Sequence, residues 1–329
     1  MRSEIESKFP NTHIMNFFTI RICSDTRCHK KKSDRKSNVN FRKSVYLDAG
    51  MSMFICSLNS GSNANCYYLG NQDEAILVDG GLSCRETVKR LKRRGLSIKN
   101  VKAIFVSHEH GDHVHGVPGL SKKFSLPVYI TPDTLRESRL DIREELIVRL
   151  HAYNPVQIGM LSVTAFPKLH DACDPHSFLV ECCGVKVGIF TDIGAPCEHV
   201  IRNFEQCHAA FLEANYDEDL LINGRYPWPL KNRIRGDHGH MSNDQALNLF
   251  ARHKPDHMTH LFLSHLSRDN NSPKIVKNAF ARIAGNTEIV IASRDRETRL
   301  YHIRSVMRRP VTLRNVKPSL AQQPQLSLF

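Results

Sequence analysis

Four histidines and two acids lie within the eleven-residue stretch VSHEHGDHVHG, residues 106–116. The stretch places His108, His110, Asp112 and His113 directly behind an apolar run. Imidazole nitrogens and carboxylates are ligands that suit zinc, manganese and iron. Because the side chains stand so close together in sequence, their spacing suits two ions rather than one. The stretch therefore predicts a metal centre.

Other ligand-type side chains follow apolar segments in the same way. Asp79, His170, Asp192 and His265 each stand at or soon after the end of a short segment of strand character. Helical patterns separate several of these segments, so the sequence predicts an α+β protein. Two sheets packed face to face, with helices outside, would present all of these strand ends along one edge.

Composition limits the class of protein. The chain has 329 residues, of which 41% are hydrophobic, enough for a sizeable core in one or two domains. It has no apolar run near eighteen residues and no secretory signal, so neither a membrane span nor a membrane partner is expected. The ten cysteines form no CxxC pair and suggest reduced thiols in the cytoplasm.

The net charge of +13 is concentrated at the two ends of the chain. Residues 1–52 hold eleven Lys and Arg against five Asp and Glu, and residues 304–329 hold five basic residues and no acid. We expect 1–52 to be a disordered extension, which could also reflect a start codon assigned too far upstream. Residues 53–303 are predicted to form the folded domain and 304–329 a flexible tail. The basic ends favour either solubility or attraction to a polyanion.

The motif at residues 108–113 resembles the HxHxDH signature of the metallo-β-lactamase superfamily. Four further motifs of that superfamily find matches, in the right order, at Asp79, His170, Asp192 and His265. The resemblance implies an αββα four-layer sandwich.

The resemblance covers about residues 53–303 and narrows to one branch. The blocks NSGSNANC, LEANYD, GHMSN and LSHLSRDNNSP are similar to the bacterial YycJ/WalJ-type exonucleases. This branch implies a dinuclear metal-dependent phosphodiesterase that acts on DNA in repair or replication. Zinc is the expected metal, with manganese or iron as alternatives.

The resemblance also assigns roles to the ligands. The first ion would be held by His108, His110 and His170, and the second by Asp112, His113 and His265, with Asp192 bridging both. Two such ions would activate a shared water and neutralise phosphoryl oxygens. Asp79 would accept a hydrogen bond from a ligand imidazole and so set its tautomer.

Five further roles are expected around these ligands. Asp112 and His240 are the candidates for catalytic groups, His240 as a proton donor or phosphate contact. Asn65, Glu213 and Asn215 are expected to contact substrate in the cleft. For His240, Glu213 and Asn215 a purely structural role remains open.

The last residues, QLSLF at 325–329, resemble the pentapeptide by which bacterial proteins bind the sliding clamp. The residues that would then contact the clamp are Gln325, Leu326, Leu328 and Phe329. Of these, Leu328 and Phe329 would fill an apolar pocket. Packing of this segment on its own domain, or a chance apolar terminus, are the alternatives.

Two other functions compete with a DNA exonuclease. One is a cyclic phosphodiesterase of the same fold that acts on a small molecule, and the other is a clamp-bound adaptor without catalysis. The bridging carboxylate of Asp192 argues against the adaptor, because a structural metal site needs no open dinuclear centre. The nearly neutral middle of the chain argues against strong independent affinity for DNA.

Overall fold

The structure is a computed structural model and describes residues 52–305. The strands in chain order are β1 (Ser52–Asn59), β2 (Cys66–Gly70), β3 (Ala75–Val78), β4 (Val101–Phe105), β5 (Val128–Ile130), β6 (Ile147–Arg149), β7 (Val156–Ile158), β8 (Leu161–Pro167), β9 (His176–Cys182), β10 (Val185–Phe190), β11 (Ala209–Glu213), β12 (His260–Ser264), β13 (Glu288–Ile291) and β14 (Tyr301–Arg304). The helices are α1 (Cys84–Arg93), α2 (Gly111–Val114), α3 (Val117–Phe124), α4 (Pro132–Ser138), α5 (Glu198–Phe204), α6 (Glu218–Asn223), α7 (Trp228–Arg235), α8 (Asn243–His253) and α9 (Pro273–Ala281).

The strands form two mixed sheets of seven strands each. The first sheet has the order β14-β1-β2-β3-β4-β5-β6, and the second has the order β13-β12-β11-β10-β9-β8-β7. Strands β3 to β6 are parallel to one another, as are β10 to β13. Parallel strands are buried on both faces, which explains the continuous apolar runs of β3 and β11.

Three apolar clusters define four layers. One cluster fills the space between the two sheets and includes Tyr67, Phe178 and Phe211. The second lies between the second sheet and α5, α8 and α9, and the third lies between the first sheet and α1 and α3. The predicted αββα sandwich is therefore confirmed.

The parallel strands of both sheets end at the same edge of the sandwich. Asp79 follows β3 and the histidine stretch follows β4, whereas Asp192 follows β10 and His265 follows β12. The loop after β8 brings His170 to this edge. Ligands of open α/β sheets bind at the carboxyl ends of the strands, so this edge is the place to look for a functional site.

The domain is slightly longer than predicted. Ser52 and Arg304, which the sequence assigned to the extension and the tail, pair with each other across β1 and β14. The rest of the predicted extension and tail, including the QLSLF segment, lies outside the described residues. Within residues 52–305, no helix is long and apolar enough to cross a membrane.

Candidate metal centre

The histidine stretch is held in place by the glycines that follow β3. The backbone N–H of Gly80 donates to the carbonyl of His113 at 2.7 Å, and the N–H of Asn65 donates to the carbonyl of Asp112 at 2.7 Å. The N–H of Gly81 in turn donates to the carbonyl of Asn65 at 2.9 Å. A Cβ atom on Gly81 would lie 1.7 Å from the carbonyl oxygen of Asp112, so only glycine permits this approach.

The first ligand cluster consists of three imidazoles. His108, His110 and His170 place one ring nitrogen each within 4.8 Å of the others. His170 Nδ1 donates to the carbonyl of Gly239 at 3.0 Å, which leaves the Nε2 lone pair free for an ion. His170 Nε2 and His110 Nδ1 are 3.4 Å apart.

The second cluster combines two carboxylates with two imidazoles. Asp112, His113, Asp192 and His265 bring one ligand atom each within 4.8 Å of the others. His113 Nδ1 donates to Asp79 Oδ2 at 2.7 Å, the bond expected to set the tautomer of a ligand imidazole.

Asp192 lies between the two clusters. Its Oδ2 is 3.1 Å from His113 Nε2, and its Oδ1 is 3.5 Å from His265 Nε2 and 4.0 Å from His170 Nε2. The carboxylate therefore lies within 4.0 Å of an imidazole of each cluster, and its bridging of two ions stays a prediction.

Buried polar atoms without partners test whether divalent ions fit here. Within the described residues, His108 Nε2, Asp192 Oδ2 and His265 Nε2 are buried and have no hydrogen-bond partner. Leaving a buried polar group unpaired costs about 1–3 kcal/mol, so three such atoms facing one site require a ligand. The nitrogen and oxygen donor set suits divalent ions, and the residues present therefore fit the metal.

Burial and neighbouring carboxylates shift the pKa values of individual ligand histidines in opposite directions. Burial holds the pKa of His108 well below its usual 6.5 and lowers that of His170 to about 4. Burial also opposes protonation of His265, but the surrounding carboxylates of Asp192, Asp112 and Glu213 outweigh it and raise the pKa to about 10. An ion bound beside His265 would have to displace the proton that the neighbouring carboxylates favour on this imidazole.

Three of these residues have left-handed backbone. Asp79, Asp192 and His265 have φ angles of 60°, 55° and 54°, although none is a glycine. Such a conformation costs about 1–3 kcal/mol in a non-glycine residue and is typical of functional sites. The turn lets each side chain leave its strand end toward the common edge.

His240 stands over both clusters. Its ring centroid is 5.3 Å from that of His170 and 5.2 Å from that of His265. Its Nδ1 donates to Glu213 Oε1 at 2.9 Å, and Nε2 has no hydrogen-bond partner among the described residues. The side chain is 22% exposed, so a substrate can reach it.

Glu213 serves two imidazoles at once. Its Oε1 accepts from Nδ1 of both His240 and His265, at 2.9 Å each, and its Oε2 accepts from the N–H of Ile193 at 2.6 Å. Asp192, Glu213, His240 and His265 could also gather around an ion. Because Glu213 already accepts from both rings, we interpret it as the group that orients them.

The structure corrects three expected substrate contacts. Asn65 and Glu213 are fully buried and Asn215 nearly so, so none can contact a strand in the cleft. Asn65 Nδ2 donates to Asp112 Oδ2 at 3.0 Å, and Asn215 Nδ2 donates to the carbonyl of His265 at 2.8 Å. These residues position ligands instead of binding substrate.

Three supporting residues were missed by the sequence analysis. Ser107 Oγ donates to Asp79 Oδ2 at 2.9 Å, and Ser60 Oγ accepts from the N–H of His265 at 2.8 Å. The buried ammonium of Lys168 donates to the carbonyl of Thr191 at 2.7 Å, next to Asp192. The positions of Ser107 and Lys168, each within two residues of a ligand, are the only signal that the sequence offers.

Comparison with known proteins identifies the family. A beta-lactamase superfamily domain matches residues 74–265, more than half of the chain. The chain therefore belongs to the β-lactamase superfamily, and with its two ligand clusters it is a metal-dependent hydrolase.

Individual relatives share most of this domain. The chain is 32% identical over 241 residues to the exodeoxyribonuclease YycJ of Bacillus anthracis, covering 71% of this chain and 89% of the relative. It is 29% identical over 221 residues to the exodeoxyribonuclease WalJ of Streptococcus pneumoniae, covering 65% and 81%. The metallo-β-lactamase-fold protein YhfI of Bacillus subtilis has the same fold, with a TM-score of 0.60 at 15% identity over 76% of this chain and 99% of its own.

The contact between Gly81 and the histidine stretch yields a prediction. Gly81→Ala should displace the turn that carries Asp112, because the new methyl group would overlap its carbonyl oxygen. We expect the free energy of unfolding to fall by about 1–3 kcal/mol and metal content to decrease. Urea unfolding and elemental analysis measure both.

Gly111→Ala is the matched control, since a Cβ atom there meets no atom within 4 Å. Wild-type stability and metal content in Gly81→Ala would contradict the close approach seen here.

Proposed function

We propose that this protein is a dinuclear phosphodiesterase that removes nucleotides from DNA as an exonuclease. The observation that carries the proposal is the position of Asp192, whose carboxylate faces a three-histidine cluster on one side and an Asp-His-His cluster on the other. The similarity to two exodeoxyribonucleases supports DNA as the substrate. Zinc fits the nitrogen-rich donor set best, and manganese or iron would also suit it.

The residues of the chain divide the chemistry among them. Bound divalent ions would lower the pKa of a water and neutralise the phosphoryl oxygens. The side chain of Asp112 is partly exposed and would accept a hydrogen bond from the attacking water, which orients it toward phosphorus. Asp79, Glu213 and the carbonyl of Gly239 hold the ligand imidazoles in fixed tautomers.

His240 is placed to donate a proton to the leaving oxygen. With Nδ1 donating to Glu213, its Nε2 is the atom available to protonate the leaving 3′ or 5′ oxygen.

The proposal is tested with end-labelled substrates. Metal-loaded protein should shorten labelled single-stranded, duplex or nicked DNA and leave small cyclic phosphodiesters largely intact. Asp192→Ala should abolish hydrolysis, and His240→Ala should reduce turnover by roughly 10²-fold with metal content unchanged. Product ladders on gels and elemental analysis supply the readouts.

His115→Ala is the control for His240→Ala, because His115 lies in the same histidine stretch but is exposed. Rapid hydrolysis of cyclic phosphodiesters with no cleavage of DNA would favour the small-molecule enzyme. Hydrolysis of neither substrate by metal-loaded protein would favour the non-catalytic adaptor, and near-normal turnover in Asp192→Ala would refute the dinuclear mechanism.

We further propose that QLSLF at 325–329 recruits the enzyme to a sliding clamp. The segment fits the clamp-binding pattern at every position, with Gln325 as a hydrogen-bonding group and Leu326, Leu328 and Phe329 as apolar anchors. A tether of this kind would raise the effective concentration of the enzyme on DNA without new contacts to DNA.

Leu328→Ala combined with Phe329→Ala should abolish clamp binding, whose dissociation constant we expect to be on the order of micromolar. Hydrolysis of short free DNA should stay unchanged, since the metal centre is untouched. Calorimetry with purified clamp measures the affinity, and Gln322→Ala combined with Gln323→Ala is the control. If the Leu328→Ala plus Phe329→Ala protein bound the clamp as tightly as the wild-type protein, the proposed tether would be contradicted.

A further inference from the structure

A second cavity lies beside the metal centre. It has a volume of about 710 Å³, within the range of pockets that bind small ligands, and it is formed by segments around α9, β13 and β14. Its lining includes the apolar or aromatic side chains of Leu266, Val290 and Tyr301. Nothing in the proposed mechanism uses it.

Arginines surround this cavity. Five of them line it, namely Arg94, Arg268, Arg294, Arg296 and Arg299. Two are neutralised by carboxylates, since Arg94 pairs with Glu297 at 3.1 Å and Arg299 with Glu288 at 2.7 Å.

The other three arginines form no ion pair with a carboxylate among the described residues. Within residues 52–305, no carboxylate lies within 4 Å of the guanidinium of Arg268, Arg294 or Arg296. Asp295, which also lines the cavity, and Asp269, which follows Arg268, offset part of their charge. Guanidinium groups that converge on a cavity are suited to phosphate, which they bind through paired hydrogen bonds.

The wall between the cavity and the metal centre is thin. Leu266 and Ser267 line the cavity and directly follow the ligand His265, so the Cα atoms of His265 and Ser267 are at most about 7.6 Å apart. Ser60 joins the two sites, because its Oγ accepts from the N–H of His265 and its own N–H donates to the carbonyl of Ser293 at 3.1 Å.

Arg294 is fixed against the same wall. A Cβ atom on Gly61 would lie 3.1 Å from Cβ of Arg294, and Asn63 Nδ2 donates to the Arg294 carbonyl at 2.9 Å. The loop 60–65, which carries Ser60 and Asn65, therefore contacts cavity-lining residues on one side and the ligand residues on the other. The cavity and the metal centre thus border the same two segments, the loop before β2 and the residues that follow His265.

We propose that this cavity binds the phosphodiester backbone of the nucleic-acid strand whose scissile bond lies at the metal centre. This inference rests on the proposed function and deepens it, since it assigns Arg268, Arg294 and Arg296 to substrate binding. The proposal explains how residues 53–303, which carry little net charge, could act on a polyanion. The positive charge that binds the strand would be concentrated in the arginines of this cavity. A small cyclic phosphodiester would not extend into the cavity.

The test compares strand binding with hydrolysis of a small diester. Full-length, metal-loaded Arg268→Gln plus Arg294→Gln protein is mixed with a labelled single-stranded phosphorothioate oligonucleotide, whose backbone keeps its charge and resists cleavage. We expect affinity to fall about ten-fold or more. The slope of log affinity against log salt should decrease by roughly 1.4, for two lost phosphate contacts. Hydrolysis of bis(p-nitrophenyl) phosphate should be unchanged.

The control removes the same charge elsewhere. Arg252→Gln plus Arg282→Gln alters exposed residues near the ends of α8 and α9 that do not line the cavity, and it should keep both affinity and salt slope. Wild-type affinity in the Arg268/Arg294 variant, or an equal loss in the control, would overturn the inference. If the wild-type protein hydrolyses no phosphodiester, the proposed function fails, yet the binding comparison still decides whether the cavity holds a strand.

Discussion

The buried carboxylate of Asp192 is the group on which the site depends. It is almost fully shielded from water, and its Oδ2 has no hydrogen-bond partner among the described residues. An ionised carboxylate in such surroundings is stable only when cations compensate for its lost hydration. The imidazoles on either side, and the ammonium of Lys168 beneath Thr191, are arranged around this requirement.

Hydrogen-bond acceptors around the site hold the ligand imidazoles in fixed orientations. Asp79 sets the tautomer of His113, Glu213 sets that of His265, and the carbonyl of Gly239 sets that of His170. These supporting groups come from both sheets and from the loop before α8, so the packing of the sandwich determines the distances between the ligands. The left-handed turns at Asp79, Asp192 and His265 add strain that the surrounding core must offset.

Much of this arrangement could be predicted from the sequence. The HxHxDH spacing and the position of Asp192 after an apolar strand depend on local sequence, and the structure brings these residues together. The sequence analysis did not predict strands β5, β6 and β7. Each has only three residues, and β6 and β7 are partly exposed. Neither an alternation of polar and apolar residues nor a long apolar run therefore marks them in the sequence.

The sequence could not show which polar residues are buried or which distant segments meet in the folded domain. From the sequence motifs alone, we expected three polar residues to lie in the cleft: Asn65, Glu213 and Asn215. Only the folded structure shows that they are buried. The arginine-lined cavity joins Arg94 to residues near 268 and 294, which are far apart in the chain. Such convergence follows from sheet order, which local patterns do not specify.

The most direct test of the account is a metal-loaded crystal structure with anomalous scattering measured at the absorption edges of zinc, manganese and iron. The account predicts two peaks: one within bonding distance of His108, His110 and His170, the other near Asp112, His113 and His265, with Asp192 contacting both. A single ion, or two ions of which Asp192 touches only one, would contradict it.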